Sequence, residues 1–155
     1  MTSTVHGIPE IIALAGRDLG YSSWKTVTQD LVDRFAEITG DHQWIHTDPR
    51  RAAAGPYGAT IAHGYLVLSW LLPMSAEILR VSGVGMTINY GVNKVRFPAP
   101  VPVGSRIRLH GRVVSVEPVK SEEVQLIRAL TVEVEDSSKP ACVAESVTNY
   151  YPAGR

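Results

Sequence analysis

Apolar positions along the chain fall into two regimes. Up to about residue 80 they recur at helical spacing; beyond it they alternate with polar ones. Pro9 to Ala15 is read as a short helix, opened by Pro9 and closed by Gly16. "YSSWKTV" reads as a short strand that offers Trp24 and Val27 for burial. Thr28 then caps a clearer helix, "QDLVDRFAEIT", in which Leu31, Val32, Phe35, Ala36 and Ile38 fall mostly on one face and Gly40 ends the run. From Gly40 to Thr60 the chain reads as irregular, with one short helical turn at Asp48–Ala54, where Asp48 caps and Pro49 starts. An irregular segment of this length in a small domain is usually functional. The stretch "HGYLVLSWLLPMSAEILR" is apolar nearly all round as far as Leu72. It predicts a helix enclosed by other elements and kinked at Pro73.

After Gly83 the period becomes that of strands. Met86, Ile88, Tyr90 and Val92 share one parity, Val95 and Phe97 the other, so a bulge is expected near Asn93–Lys94. "FPAPVPVGS" is a Pro-rich connection that central strand excludes. Ile107, Leu109 and Val113 alternate with Arg106, Arg108, His110 and Arg112. Val124, Leu126, Leu130, Val132 and Val134 form a second long alternating strand, interrupted by Arg128, and Ala141 to Tyr151 is the last strand. Helices first and antiparallel strands afterwards mean α+β. A strongly curved sheet wrapped around one helix would explain why that helix lacks a polar face.

Composition narrows the picture without changing it. The chain has 155 residues, 45% apolar and 19% charged, which is enough for one core and one domain spanning residues 1–155. Fifteen basic residues balance 15 acidic ones, so no general pull toward nucleic acid or an anionic membrane is expected. The most apolar stretch is interrupted by His63, Gly64, Pro73 and Glu77, and no membrane insertion is expected. A single cysteine, Cys142, excludes an internal disulfide and fits a reducing, cytoplasmic setting. It sits in the last strand as a small core residue.

The candidate chemistry lies in "ITGDHQWIHTDPRRA". Asp41 and His46 stand five apart in the irregular segment, and a carboxylate with an imidazole can divide one proton transfer between them. Trp44 and Ile45 flank the pair as a candidate apolar wall, which would strengthen a buried carboxylate's hold on its proton. Against this stands the commoner case of an Asp in a turn and a structurally bonded His. The motif "AHG", Ala62 to Gly64, opens the apolar helix, whose first-turn N–H groups lack partners. Gly64 there admits a thioester carbonyl, or simply close packing. His42 and His46 are four apart, but the segment lacks a helix pattern, so no metal is expected. The basic row Arg106, Arg108 and Arg112 reads as the solvated side of a half-buried sheet.

Taken together, "TGDHQWIHTDPRRAA", the later "IAHGYLVLSWL" and "KVRFPAPVPVGSRI" resemble the MaoC-like dehydratase family, which includes the R-specific enoyl-CoA hydratases, and in particular its nodulation-protein-N-like branch. The resemblance runs from about Trp24 to Tyr150. It implies a hot-dog fold, a curved antiparallel sheet wrapped around one long central helix. It also implies a homodimer with sites near the subunit interface, and an acyl-CoA thioester substrate of fatty acid metabolism. Carried over by position, Asp41 and His46 are the catalytic dyad and Gly64 the oxyanion donor, with Gln43 and His63 as substrate-binding neighbours and no cofactor. Gln43-Trp44 stands where the family has Asn-Pro, which puts a bulky ring near the acyl pocket. The rival readings are a hot-dog thioesterase, with Ser69 or Glu77 as its polar residue on the helix, and a non-catalytic module that binds acyl thioesters.

Overall fold

The computed structural model describes residues 2–120 and 122–154. In chain order the elements are β1 (Ser3–His6), α1 (Gly7–Ile12), β2 (Asp18–Tyr21), β3 (Lys25–Thr26), α2 (Gln29–Thr39), α3 (Trp44–Thr47) and α4 (Pro49–Ala53). There follow α5 (Gly64–Ser69), α6 (Leu71–Ile78), β4 (Leu79–Ser82), β5 (Val84–Arg96), β6 (Arg106–Lys120), β7 (Glu123–Val134) and β8 (Cys142–Pro152). Six strands form one sheet in the order β2-β6-β7-β8-β5, with β3 also on β6, and its described pairings are antiparallel. The parallel pair β1–β4 lies outside that sheet, and the sequence pattern gave no sign of it.

The alternation read in the last third of the chain becomes the core. Ile107, Leu109 and Val113 of β6 and Leu126, Leu130 and Val132 of β7 are buried, as are Leu66, Val67, Leu71, Met74 and Ile78 of α5 and α6. One helical rod thus lies on the inner face of the sheet, the hot-dog architecture. On the outward side of β6, Arg106 pairs with Glu135, Arg108 with Glu133 at 2.8 Å and His110 with Asp18 at 2.9 Å. The expected bulge is present, since pairing shifts between Asn93 and Arg96, with Lys94 at φ 53° between them.

Three of the differences from expectation concern the helices. The apolar helix is broken at Trp70, three residues before Pro73. Proline supplies no N–H and its ring crowds the carbonyl four residues back, that of Ser69, so the turn before it loosens. Second, the helix is not enclosed on all sides: Tyr65, Ser69 and Leu72 are exposed along one face. β5 likewise exposes nearly every residue and pairs only with β8. Third, Ile38 is 84% exposed, so the buried face of α2 rests on Val32 and Ala36.

The contrast between the two isoleucines is testable. Ile78 is fully buried against the sheet, and Ile78→Ala is expected to cost about 2–5 kcal/mol. Ile38→Ala should stay within about 0.5 kcal/mol of wild type. Denaturant unfolding measures both, and equal losses would contradict this packing.

Candidate active site

The site begins where α2 ends. Gly40 takes the left-handed conformation, φ 78°, and its N–H bonds the Ala36 carbonyl at 2.8 Å. A side chain is disfavoured in that conformation. The turn carries Asp41 off the helix axis, where its carboxylate is exposed and accepts the Gln43 N–H at 3.4 Å. Next comes α3, a single helical turn that the sequence pattern did not reveal. Gln29, at the start of α2, holds it in place: its amide donates to the His46 carbonyl at 2.7 Å and to Asp33 at 2.8 Å. Thr60 in turn donates to the Gln29 side-chain oxygen. Nothing in the sequence marked Gln29, because its bonds reach 17 and 31 residues away.

His46 is buried, and its Nδ1 lies 2.7 Å from the Ile61 carbonyl. A carbonyl only accepts, so Nδ1 carries the hydrogen and Nε2 of the neutral ring is left with a free lone pair. Burial pushes the His46 pKa below its usual 6.5; the Ile61 carbonyl opposes this, nearby His63 adds to it and Asp41 opposes it. His63 caps α5 and is also buried. Its Nε2 donates to the Asp41 carbonyl at 2.9 Å, which ties the loop to the mouth of the helix. Its Nδ1 is buried without a partner among the described residues. The rings of His46 and His63 stack at 3.8 Å between centroids, 25° apart in plane, and Phe35 packs on His63 at 5.1 Å.

Asp41, His46, His63 and Gly64 line one open cavity with Phe35, Tyr65 and Ser69. One ligand-type atom from each of Asp41, His46 and His63 lies within 4.8 Å of the others. Such a cluster matches the residue types of a metal site. The stacking argues for another occupant, because nearly parallel rings send their in-plane lone pairs side by side and not toward one centre. A water between carboxylate and imidazole fits that geometry.

Gly64 starts α5, and its N–H has no partner among the described residues. The glycine also has a packing reason: a Cβ there would stand 2.9 Å from the Phe97 ring of the Pro-rich connection. Gln43 is exposed and does not line the cavity; its backbone carbonyl receives the His46 N–H at 2.9 Å. Trp44 forms no wall beside Asp41 and His46. It packs on Gly55, and the Arg51 guanidinium lies 4.4 Å from its ring centre. Cys142 is fully buried, and burial raises its thiol pKa to about 11, so it stays an inert core residue.

Comparison with known proteins identifies the family. Residues 11–135 match the family model of the MaoC like domain. The chain is 54% identical over 147 residues to the 3-hydroxyacyl-thioester dehydratase Z of Mycobacterium tuberculosis, covering 95% of this chain and 97% of that one. It is 40% identical over 154 residues to nodulation protein N of Rhizobium meliloti, covering 96% and 94%. Among solved structures, a monoamine oxidase regulatory protein from Archaeoglobus superposes with a TM-score of 0.79 at 25% identity, over 97% of each chain. An R-hydratase from Pseudomonas aeruginosa superposes with a TM-score of 0.68 at 22% identity, over 89% and 82%, a likeness of fold. The chain belongs to the MaoC-like domain family, and the sheet-wrapped helix bearing this site is the hot-dog fold.

Proposed function

We propose that the protein is an (R)-specific enoyl-CoA hydratase, adding water reversibly to a trans-2-enoyl-CoA to give the (3R)-3-hydroxyacyl-CoA. It is a hydro-lyase by its family and its dehydratase relative. The observation that carries the finer reading is the meeting of Asp41 and His46 beside the unpaired Gly64 N–H in one cavity. A water held there donates one hydrogen to the Asp41 carboxylate and the other to Nε2 of His46. Its oxygen attacks C3 as Nε2 takes the proton. The thioester oxygen, becoming enolate-like, is held by the Gly64 N–H. The imidazolium then returns a proton to C2 on the same face, so one O–H bond and the C2=C3 π bond break while C3–O and C2–H bonds form. His63 positions the dyad through the Asp41 carbonyl and packs beneath His46.

The rivals find less support. Glu77, the carboxylate on the helix, is engaged by Lys25 at 2.8 Å and by Ser23, which together lower its pKa to about 2. Ser69 donates to the Tyr65 carbonyl at 2.8 Å. Neither is poised for thioester hydrolysis. A non-catalytic binding module would not need the fixed tautomer of His46.

The working unit is a homodimer in this reading. Met86, Ile88, Tyr90 and Val92 leave an apolar row exposed on the edge strand β5, beside the exposed helix face of Tyr65 and Leu72. A second copy pairing along that edge would cover both and close the cavity against water. In this reading the protein works in the cytoplasm. No helix among the described residues is long and apolar enough to cross a membrane.

Asp41→Asn and His46→Gln are expected to keep the fold and lose about 10²–10⁴ in hydration of crotonyl-CoA, followed as loss of enoyl absorbance; near-normal rates in both would remove the dyad. The pH profile gives a second measurement. The neutral imidazole is the base, and its pKa lies below 6.5, so the acid limb of kcat/KM should fall below pH 6.5. The unfolded chain takes up this proton at higher pH than the folded one, so stability should also decline as pH falls through that value. An acid limb above it would contradict the buried His46 as base. Third, light scattering should find a dimer, and Ile88→Lys with Tyr90→Lys should shift it to monomer with loss of turnover. A wild-type monomer that is fully active would overturn the interface.

A further inference from the structure

Four buried side-chain atoms lack a hydrogen-bond partner among the described residues: His63 Nδ1, Ser75 Oγ, Arg128 Nε and Ser146 Oγ. The first lies at the dyad. The other three line a second cavity of about 190 Å³, away from the dyad residues. That concentration is unusual, because buried polar atoms are nearly always paired.

Arg128 is the residue that interrupts the apolar row of β7. Leu126 and Leu130 on either side of it face the core, and Arg128 is itself only 5% exposed. Its one described hydrogen bond goes to the Thr148 hydroxyl at 3.2 Å. None of the described ion pairs includes it. The ionisable group facing it is Tyr150, a phenol whose own pKa burial pushes up, so it brings no negative charge. A buried guanidinium without a counter-ion is strongly unfavourable, and a carboxylate that meets it in a fork geometry relieves that cost. Ser75 on α6 and Ser146 on β8 line the same space, and each carries a buried hydroxyl without a partner among the described residues.

The cavity also has a defined relation to the dyad. Gly64, Tyr65 and Ser69 line the first cavity; Leu68, Leu72 and Ser75 line the second. These residues succeed one another along the same helical rod, which rises about 1.5 Å per residue, so Ser75 lies roughly 16 Å beyond Gly64. A thioester held at Gly64 would run its acyl chain along this face, over apolar leucines, to Arg128.

We propose that the second cavity is a subsite for a carboxylate at the far end of the acyl chain, so that the preferred substrates are dicarboxylic: ω-carboxy-2-enoyl thioesters whose distal carboxylate pairs with Arg128 and accepts from Ser75 and Ser146. The thioester end of this assignment rests on the hydratase reading; the carboxylate end does not. A methyl-ended chain leaves the guanidinium unpaired and supplies no acceptor to either serine.

The test compares matched CoA thioesters. Turnover is measured with trans-2-hexenoyl-, octenoyl- and decenoyl-CoA and with the hexenedioyl, octenedioyl and decenedioyl forms. Equilibrium binding is measured by calorimetry with the saturated acyl- and ω-carboxyacyl-CoA of the same lengths, which cannot react. At the length that spans the two cavities, the carboxylate form should bind and turn over about 10- to 100-fold better than its methyl-ended counterpart. Arg128→Met should abolish or reverse that preference, and Ser75→Ala with Ser146→Ala should reduce it several-fold. Wild type favouring methyl-ended chains at every length, in binding and in turnover, would overturn the proposal, whether or not Arg128→Met folds. So would a preference that survives in a folded Arg128→Met. A carboxylate preference in binding without turnover of any enoyl-CoA supports the subsite and overturns the hydratase reading instead.

Discussion

The hydrogen bond from His46 Nδ1 to the Ile61 carbonyl, 2.7 Å long and buried, is the constraint on which the site depends. It joins the short turn α3 to the segment that leads into the central helix. It sets the tautomer, and so decides which nitrogen faces the cavity. A second tie, from His63 to the Asp41 carbonyl, brings the other side of the loop to the same helix mouth. Without the two bonds an exposed carboxylate and a buried imidazole would have no fixed relation. With them, the N-terminal turn of the helix supplies an unpaired N–H beside both. The geometry of the site is thus a consequence of how an irregular segment is anchored to a regular one.

Polar groups left over elsewhere follow the same logic. Folding satisfies most buried donors and acceptors, and those it leaves unsatisfied mark places where something else belongs. Among the described residues they fall at two points beside one helix, His63 at the mouth and Ser75 with Arg128 and Ser146 further down. The apolar residues left exposed, on β5 and on the face of Tyr65 and Leu72, border the second point. Under the proposed function, an acyl thioester would answer the former and a second copy of the chain the latter.

Much of the fold was legible because strand alternation reports burial directly. The inward rows of β6 and β7, the bulge at Lys94, the caps Thr28 and Asp48 and the stop at Gly40 were each written in local spacing. The motifs marked Asp41, His46, His63 and Gly64 as candidates, and the geometry brings these four to one cavity while leaving Gln43 outside its lining. The rest was hidden for physical reasons. Periodicity cannot tell an apolar face buried within a chain from one awaiting a partner, so the helix read as enclosed. The turn α3 has four residues and no helical pattern; it is held by Gln29, whose contacts are distant in sequence. Trp44 read as a wall of the pocket because its neighbours in sequence belong to it, yet its ring packs on Gly55 and Arg51. Arg128 read as an interruption of a strand, because one sequence does not reveal which face of a strand carries its partnerless charge.

The claim that Asp41 and His46 act on one shared water is tested most directly by a double-mutant cycle on hydration of a trans-2-enoyl-CoA. Groups that serve a single proton transfer are strongly non-additive. The combined Asp41→Asn, His46→Gln variant should therefore be about as slow as the slower single variant. If the two losses multiply in full, the groups act independently and the shared water is wrong.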